Sequence, residues 1–174
     1  MAIWTSRYSN KELQNGNYYP VGISIGSPRF PLGYELREQC YSLAPKGYML
    51  NMEIERFKPA YYEKLEGIGT ERIISMVTKL DEKARKEDKE LVLLCYEDVR
   101  IPEDWCHRTF FSEWWAEKMG EIIEELPDPT PPKKKKSAAK TKEASKKPVM
   151  APAEKQESEY EQMSLFGAMG VAGN

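Results

Sequence analysis

The chain has 174 residues, 31% of them charged, and its charge is divided unevenly: residues 1–126 carry 17 Lys+Arg against 22 Asp+Glu, residues 127–174 carry 9 against 6. The acidic first part holds all four Trp and all three Cys, enough for one ordinary core; its charge argues against strong DNA affinity by that part alone. Three scattered Cys exclude a disulfide scaffold, and the lack of a basic-apolar leader or of a run near about 18 apolar residues excludes a membrane span, so the sequence reads as a reduced cytoplasmic protein.

Ile3-Trp4-Thr5 reads as a first strand, followed by the polar cluster Ser6 to Asn10. Tyr19 to Ile25 reads as a second strand, ended by the loop residues Gly26 to Pro31. The spacing from Tyr34 to Leu43 predicts a helix stopped by Ala44-Pro45-Lys46-Gly47, and Tyr48 to Ile54 a further strand or an irregular connection. A short helical turn is expected over Pro59 to Leu65. Thr70 is expected to cap a helix whose apolar positions Ile73, Ile74, Val77, Leu80 and Ala84 step by three and four. Leu91 to Leu94 shows no polar alternation, as in a central parallel strand covered on both faces. After a turn over Cys95 to Pro102, Asp104 is expected to cap a helix from Trp105 that carries Phe111, Trp114, Trp115, Met119, Ile122 and Ile123 at helical spacing and stops before Pro127. The expected fold is α/β, a small three-layer domain with a short, mainly parallel sheet flanked by helices.

Residues 127–160 are rich in Pro, Lys, Ala, Ser and Glu, a composition that predicts a disordered linker before the C-terminal segment 161–174. Lys133, Lys134, Lys135 and Lys136, with Lys140, Lys142, Lys146 and Lys147, either hold a nucleic-acid backbone loosely or keep the linker solvated.

The residues that carry chemistry cluster after the central strand. Cys106, His107 and Arg108 fall where a helix begins, a place that favours an anion or thiolate. His107, the one histidine of the chain, can move a proton, and Arg108 suits a phosphate or carboxylate. Cys95 and Glu97 leave the neighbouring strand toward the same crevice. The structural alternative makes the two Cys buried hydrophobes and Glu97–Arg108 an ion pair. Cys95 to Arg100 has the outline of a sulfur-carrier or phosphatase loop, but Glu97 and Asp98 repel an anion and no glycine lets the backbone wrap. Zinc has no C-x2-C pair to support it, since Cys106 and His107 are adjacent, and no metal is expected.

The stretch LVLLCYEDVRIPEDWCHRTFFSEWW resembles the signature of the domain-of-unknown-function 488 family, a strand, Cys-x-Glu, a Pro-containing loop and Cys-His-Arg opening a helix. IWTSRYSN, VGISIGSPRF and LAPKGYML resemble further parts of that family, so the likeness covers residues 1–126; the loop 98–104 is longer than its usual spacing. The resemblance implies a site built from Thr5, Ser6, Arg7, Cys95, Glu97, Cys106, His107 and Arg108. It implies no substrate and no cofactor.

Gln162-Met163-Ser164-Leu165-Phe166 resembles the pentapeptide with which bacterial replication and repair proteins dock on the beta sliding clamp, with Met163 where Leu is usual. Burying Leu165 and Phe166 is worth about 1.5–3 kcal/mol each. After the cost of ordering the peptide, a micromolar Kd, about −8 kcal/mol, is the expected ceiling. The alternative is that Tyr160, Leu165 and Phe166 fold back on the domain. The sequence thus points to a DNA-associated protein that docks on the clamp and whose domain uses Cys106, His107 and Glu97, with Arg108 on a phosphate-bearing ligand; the alternative is a non-catalytic adaptor or inhibitor at the clamp.

Overall fold

A computed structural model describes residues 3–132; the lysine run from Lys133 and the segment Gln162–Phe166 lie outside the described residues. Five strands, β1 (Ile3–Arg7), β2 (Tyr18–Gly22), β3 (Glu38–Gln39), β4 (Glu90–Cys95) and β5 (Glu124–Glu125), form one sheet in the order β3-β2-β4-β1-β5. Every pairing is parallel, so the strand exits lie along one edge. Three helices, α1 (Ile54–Ile68), α2 (Thr70–Lys86) and α3 (His107–Met119), complete an α/β domain of the expected class. No helix among the described residues is long and apolar enough to cross a membrane.

The apolar run of β4 is explained by its place between two cores. Leu91 and Leu93 join Phe57, Tyr61 and Leu65 of α1, Ile73, Val77, Leu80 and Ala84 of α2, and Phe110, Phe111, Trp114 and Trp115 of α3. Val92 and Leu94 point the other way, to Tyr8, Leu13 and Leu126. All three α-helices thus pack on one face. The third layer is thinner, made of a 3₁₀ helix (Lys11–Asn15), capped by the Asn10 side chain on the Glu12 N–H, and the irregular stretch that carries Leu32, Tyr34 and Leu36.

Several local expectations are corrected. The segment expected as a helix over Tyr34 to Leu43 is extended enough to pair with β2: the Arg37 N–H bonds Pro20 O, the Cys40 N–H bonds Gly22 O, and only Glu38–Gln39 form a strand. Tyr48 to Ile54 is a 3₁₀ turn (Gly47–Asn51) followed by the start of α1. The short turn expected over Pro59 to Leu65 is a 15-residue helix with Pro59 inside it. Thr70 is the first helical residue of α2 rather than its cap, which is Gly69 at φ 96°. Helix α3 is capped by Cys106, not Asp104, because the chain from Asp98 to Asp104 closes into consecutive turns first, with the Ile101 N–H on Asp98 O and the Asp104 N–H on Ile101 O. It ends at Gly120, in the left-handed region at φ 72°, which frees Ile123 to enter the core and Glu124–Glu125 to pair with β1. Residues 127–132, expected in the linker, are described, and Asp128 and Thr130 are tied to Arg7 and Arg100.

Candidate functional site

Parallel strands deliver their last residues to one edge, and open α/β sheets place ligands there. Cys95 ends β4 and shares the side of the strand taken by Leu91 and Leu93, facing the helices. Cys106 caps α3 and His107 is its first residue. The three meet: Cys95 Sγ lies 3.6 Å and Cys106 Sγ 3.7 Å from His107 Nδ1. Glu97 Oε2 closes the group, 3.3 Å from Cys95 Sγ and 3.0 Å from Cys106 Sγ. Both sulfurs and the imidazole are buried, while Glu97 stands at the mouth with its carboxylate turned inward.

The imidazole is held from two sides. Its Nε2 is 2.9 Å from Ile23 O, and a carbonyl only accepts, so Nε2 carries the hydrogen. Tyr61 packs edge-on against the ring and donates its own hydroxyl to Leu43 O. In the neutral ring, Nδ1 therefore presents its lone pair to the two sulfurs.

Protonation divides unequally. The hydrogen bond with Cys106 raises the Cys95 thiol, burial adds to it, and the negative charges of Cys106 and Glu97 act in the same sense. Burial works against a Cys106 thiolate, but the hydrogen bonds with Cys95 and His107 and the charge of Arg108 prevail and hold it well below the usual thiol range. Glu97 is raised, by burial first and then by the charge of Cys106.

Beside the cluster is a hollow of about 160 Å³ lined by Pro45, Leu50, Phe57, Glu97, Trp105, Cys106 and His107. Larger hollows of about 360 and 420 Å³ lie elsewhere, one around Lys64, whose amine burial pushes down to about 8, and one around Cys40 and Met76. Neither gathers comparable reactive groups.

The remaining residues of the expected site are placed apart from this hollow. Arg108 is fully buried and its guanidinium is held by Glu125, with Nε at 3.0 Å and Nη2 at 2.9 Å, and not by Glu97. Thr5 Oγ1 donates to the same Glu125 carboxylate. Ser6 accepts from Asn10 on the opposite face of β1. Arg7 joins Asp98 at 2.9 Å and Asp128 at 2.7 Å, and Arg100 joins the same two carboxylates. The Asp98 carboxyl is lowered by Arg100 first and by Arg7. For Asp128, burial opposes ionisation but Thr130 and Arg7 outweigh it. These residues brace the edge on which the cluster sits.

Sequence reasoning passed over Ile23, Pro45, Leu50, Phe57, Tyr61 and Glu125. Part of the signal was present: VGISIGSPRF contains Ile23, whose carbonyl fixes the imidazole, and LAPKGYML contains Pro45 and Leu50 of the hollow. No protein-family model, curated protein or solved structure matches this chain.

Proposed function

We propose that the chain is a DNA-associated protein, as its resemblance to the clamp-binding pentapeptide suggests, docking on the bacterial beta sliding clamp through Gln162, Met163, Ser164, Leu165 and Phe166. Its domain takes one small part of a nucleotide or DNA ligand into the hollow beside Cys106 and His107. The observation that supports an active domain is the convergence of Cys95, Glu97, Cys106 and His107 beside an aromatic-walled cavity.

The size and lining narrow the ligand. About 160 Å³ is well under the roughly 300–1,000 Å³ of sites that enclose a drug-sized molecule. Trp105, half-buried and packed on the buried Phe57 ring with centroids 4.7 Å apart, gives the hollow an aromatic wall that suits a base better than a phosphate. Arg7, Arg100 and Arg108 are each engaged by carboxylates, so the phosphate of such a ligand stays outside the hollow.

Two measurements test this reading. Full-length protein is expected to be retained on immobilised clamp, and the triple variant Gln162→Ala, Leu165→Ala, Phe166→Ala to pass through; equal retention removes the docking motif. Titration with short single-stranded oligonucleotides is expected to quench tryptophan fluorescence, with the change lost in Trp105→Phe. If no quenching occurs while clamp retention persists, the domain is a scaffold and the adaptor reading replaces the enzymatic one.

A further inference from the structure

We propose that Cys95, Cys106 and His107, with Glu97 at the fourth corner, bind one zinc ion. The sequence discounted this because the ligands are not spaced as a knuckle. The fold assembles them from the end of β4 and the start of α3, with the ligand atoms Cys95 Sγ, Cys106 Sγ and a His107 ring nitrogen all within 4.8 Å of one another.

The distances fit a common centre. Zinc–sulfur bonds of about 2.3 Å and zinc–nitrogen or zinc–oxygen bonds of about 2.0–2.2 Å give tetrahedral S–N and S–O edges of about 3.5–3.6 Å. The two S–N separations are 3.6 and 3.7 Å. The two S–O separations, 3.3 and 3.0 Å, need Glu97 to move outward by about half an ångström at most, and Glu97 stands at the open mouth.

The surroundings fit as well. A zinc-bound histidine donates its other ring N–H to a carbonyl or carboxylate, which fixes the ring and raises its basicity. His107 has that partner in Ile23 O, leaving Nδ1 for the metal. Three acidic groups lie in contact, two of them buried, and the guanidinium whose charge acts on Cys106, that of Arg108, is bonded to Glu125. A divalent ion supplies positive charge to this cluster, and thiol ligands give up their protons on binding it. Two thiolates and an imidazole select zinc over magnesium or calcium, which prefer oxygen. The site stands whatever the domain acts on, because it rests on protein ligands alone.

The test uses the full chain without a polyhistidine tag, reduced, dialysed against zinc and separately against cobalt(II). One equivalent of zinc per chain is expected, with release of protons. The cobalt form is expected to show thiolate-to-metal charge transfer and the strong visible bands of a tetrahedral ion. Losing a partner that only orients a ligand lowers metal affinity about 10–100-fold, so Cys95→Ser and Cys106→Ser are each expected to lose more than about 100-fold, while Cys40→Ser loses nothing. Should the Cys variants fail to fold, the cobalt spectrum of the natural chain decides alone. Only trace zinc bound by folded, reduced protein overturns the proposal, as does a cobalt spectrum without thiolate bands; a Cys95–Cys106 disulfide that leaves no zinc uptake after reduction identifies a redox pair instead.

Discussion

Arg108 shows how a residue chosen from sequence for ligand binding is used by the fold for something else. Its side chain has no exposure, Glu125 takes Nε and Nη2, and Nη1 is buried without a hydrogen-bond partner among the described residues. A buried donor left unpaired costs about 1–3 kcal/mol, so the guanidinium is held at some expense. The charge it places behind Cys106 favours the thiolate there. Removing one member of a buried ion pair costs about 3–5 kcal/mol. Glu125 keeps its bond from Thr5 and is one-third exposed, so Arg108→Met is expected below that range, about 2–3 kcal/mol in urea unfolding. Adding Glu125→Leu is expected to recover part of the loss. A single variant as stable as the natural protein refutes the structural role assigned to the pair.

At the scale of elements, the sequence was legible where periodicity and burial agree. The stripe of α2 and the unbroken apolar run of β4 are found where they were expected, since each residue's neighbours along the chain already state which faces are buried. It was illegible where a long-range partner decides. Glu38–Gln39 and Glu124–Glu125 are strands of two residues, too short to leave a pattern, and exist only because β2 and β1 offer free edges. Ile122 and Ile123 continue the helical spacing of α3, yet Gly120 ends the helix and only Ile123 is buried. Helix α1 was shortened in the reading by Pro59, which lies exposed at its sixth position and withholds the N–H that Glu55 O would accept. Proline in a helix interior costs about 3 kcal/mol relative to alanine, offset by about 0.4–1 kcal/mol through its stiffening of the unfolded chain. Pro59 is exposed near the start of the helix and no packing is lost, so Pro59→Ala is expected to stabilise by about 1–2 kcal/mol and raise the thermal midpoint by about 5 °C. A lower midpoint means that Pro59 sets the angle at which Phe57 and Tyr61 reach the core.

Across the whole molecule, the candidate site was half legible for a physical reason. Cys95, Glu97, Cys106 and His107 were named from the sequence because strand exits and helix starts are predictable. Their mutual distances were not, since ten residues separate Cys95 from Cys106 and only the packing of α3 on β4 sets the gap. The charge pattern is a property of the whole chain too. Residues 1–126 are net acidic, so under the proposed function the affinity for DNA is expected from the eight lysines between Pro132 and Lys147, which lie outside the described residues, or from the clamp. Each phosphate neutralised adds about −0.9 to the slope of log K against log salt on duplex DNA and about −0.7 on a single strand. If half of the eight lysines engage, the slope is about −3 to −4, and binding weakens sharply between low and physiological salt. Deleting residues 132–147 is then expected to bring the slope close to zero while leaving the hollow intact, since none of its lining residues lies in that segment. Fluorescence anisotropy with a labelled oligonucleotide over a salt series reads this directly. An unchanged slope in the deletion variant transfers the electrostatic role to the domain, against its acidic balance, and removes the lysine run from the account of how the protein reaches DNA.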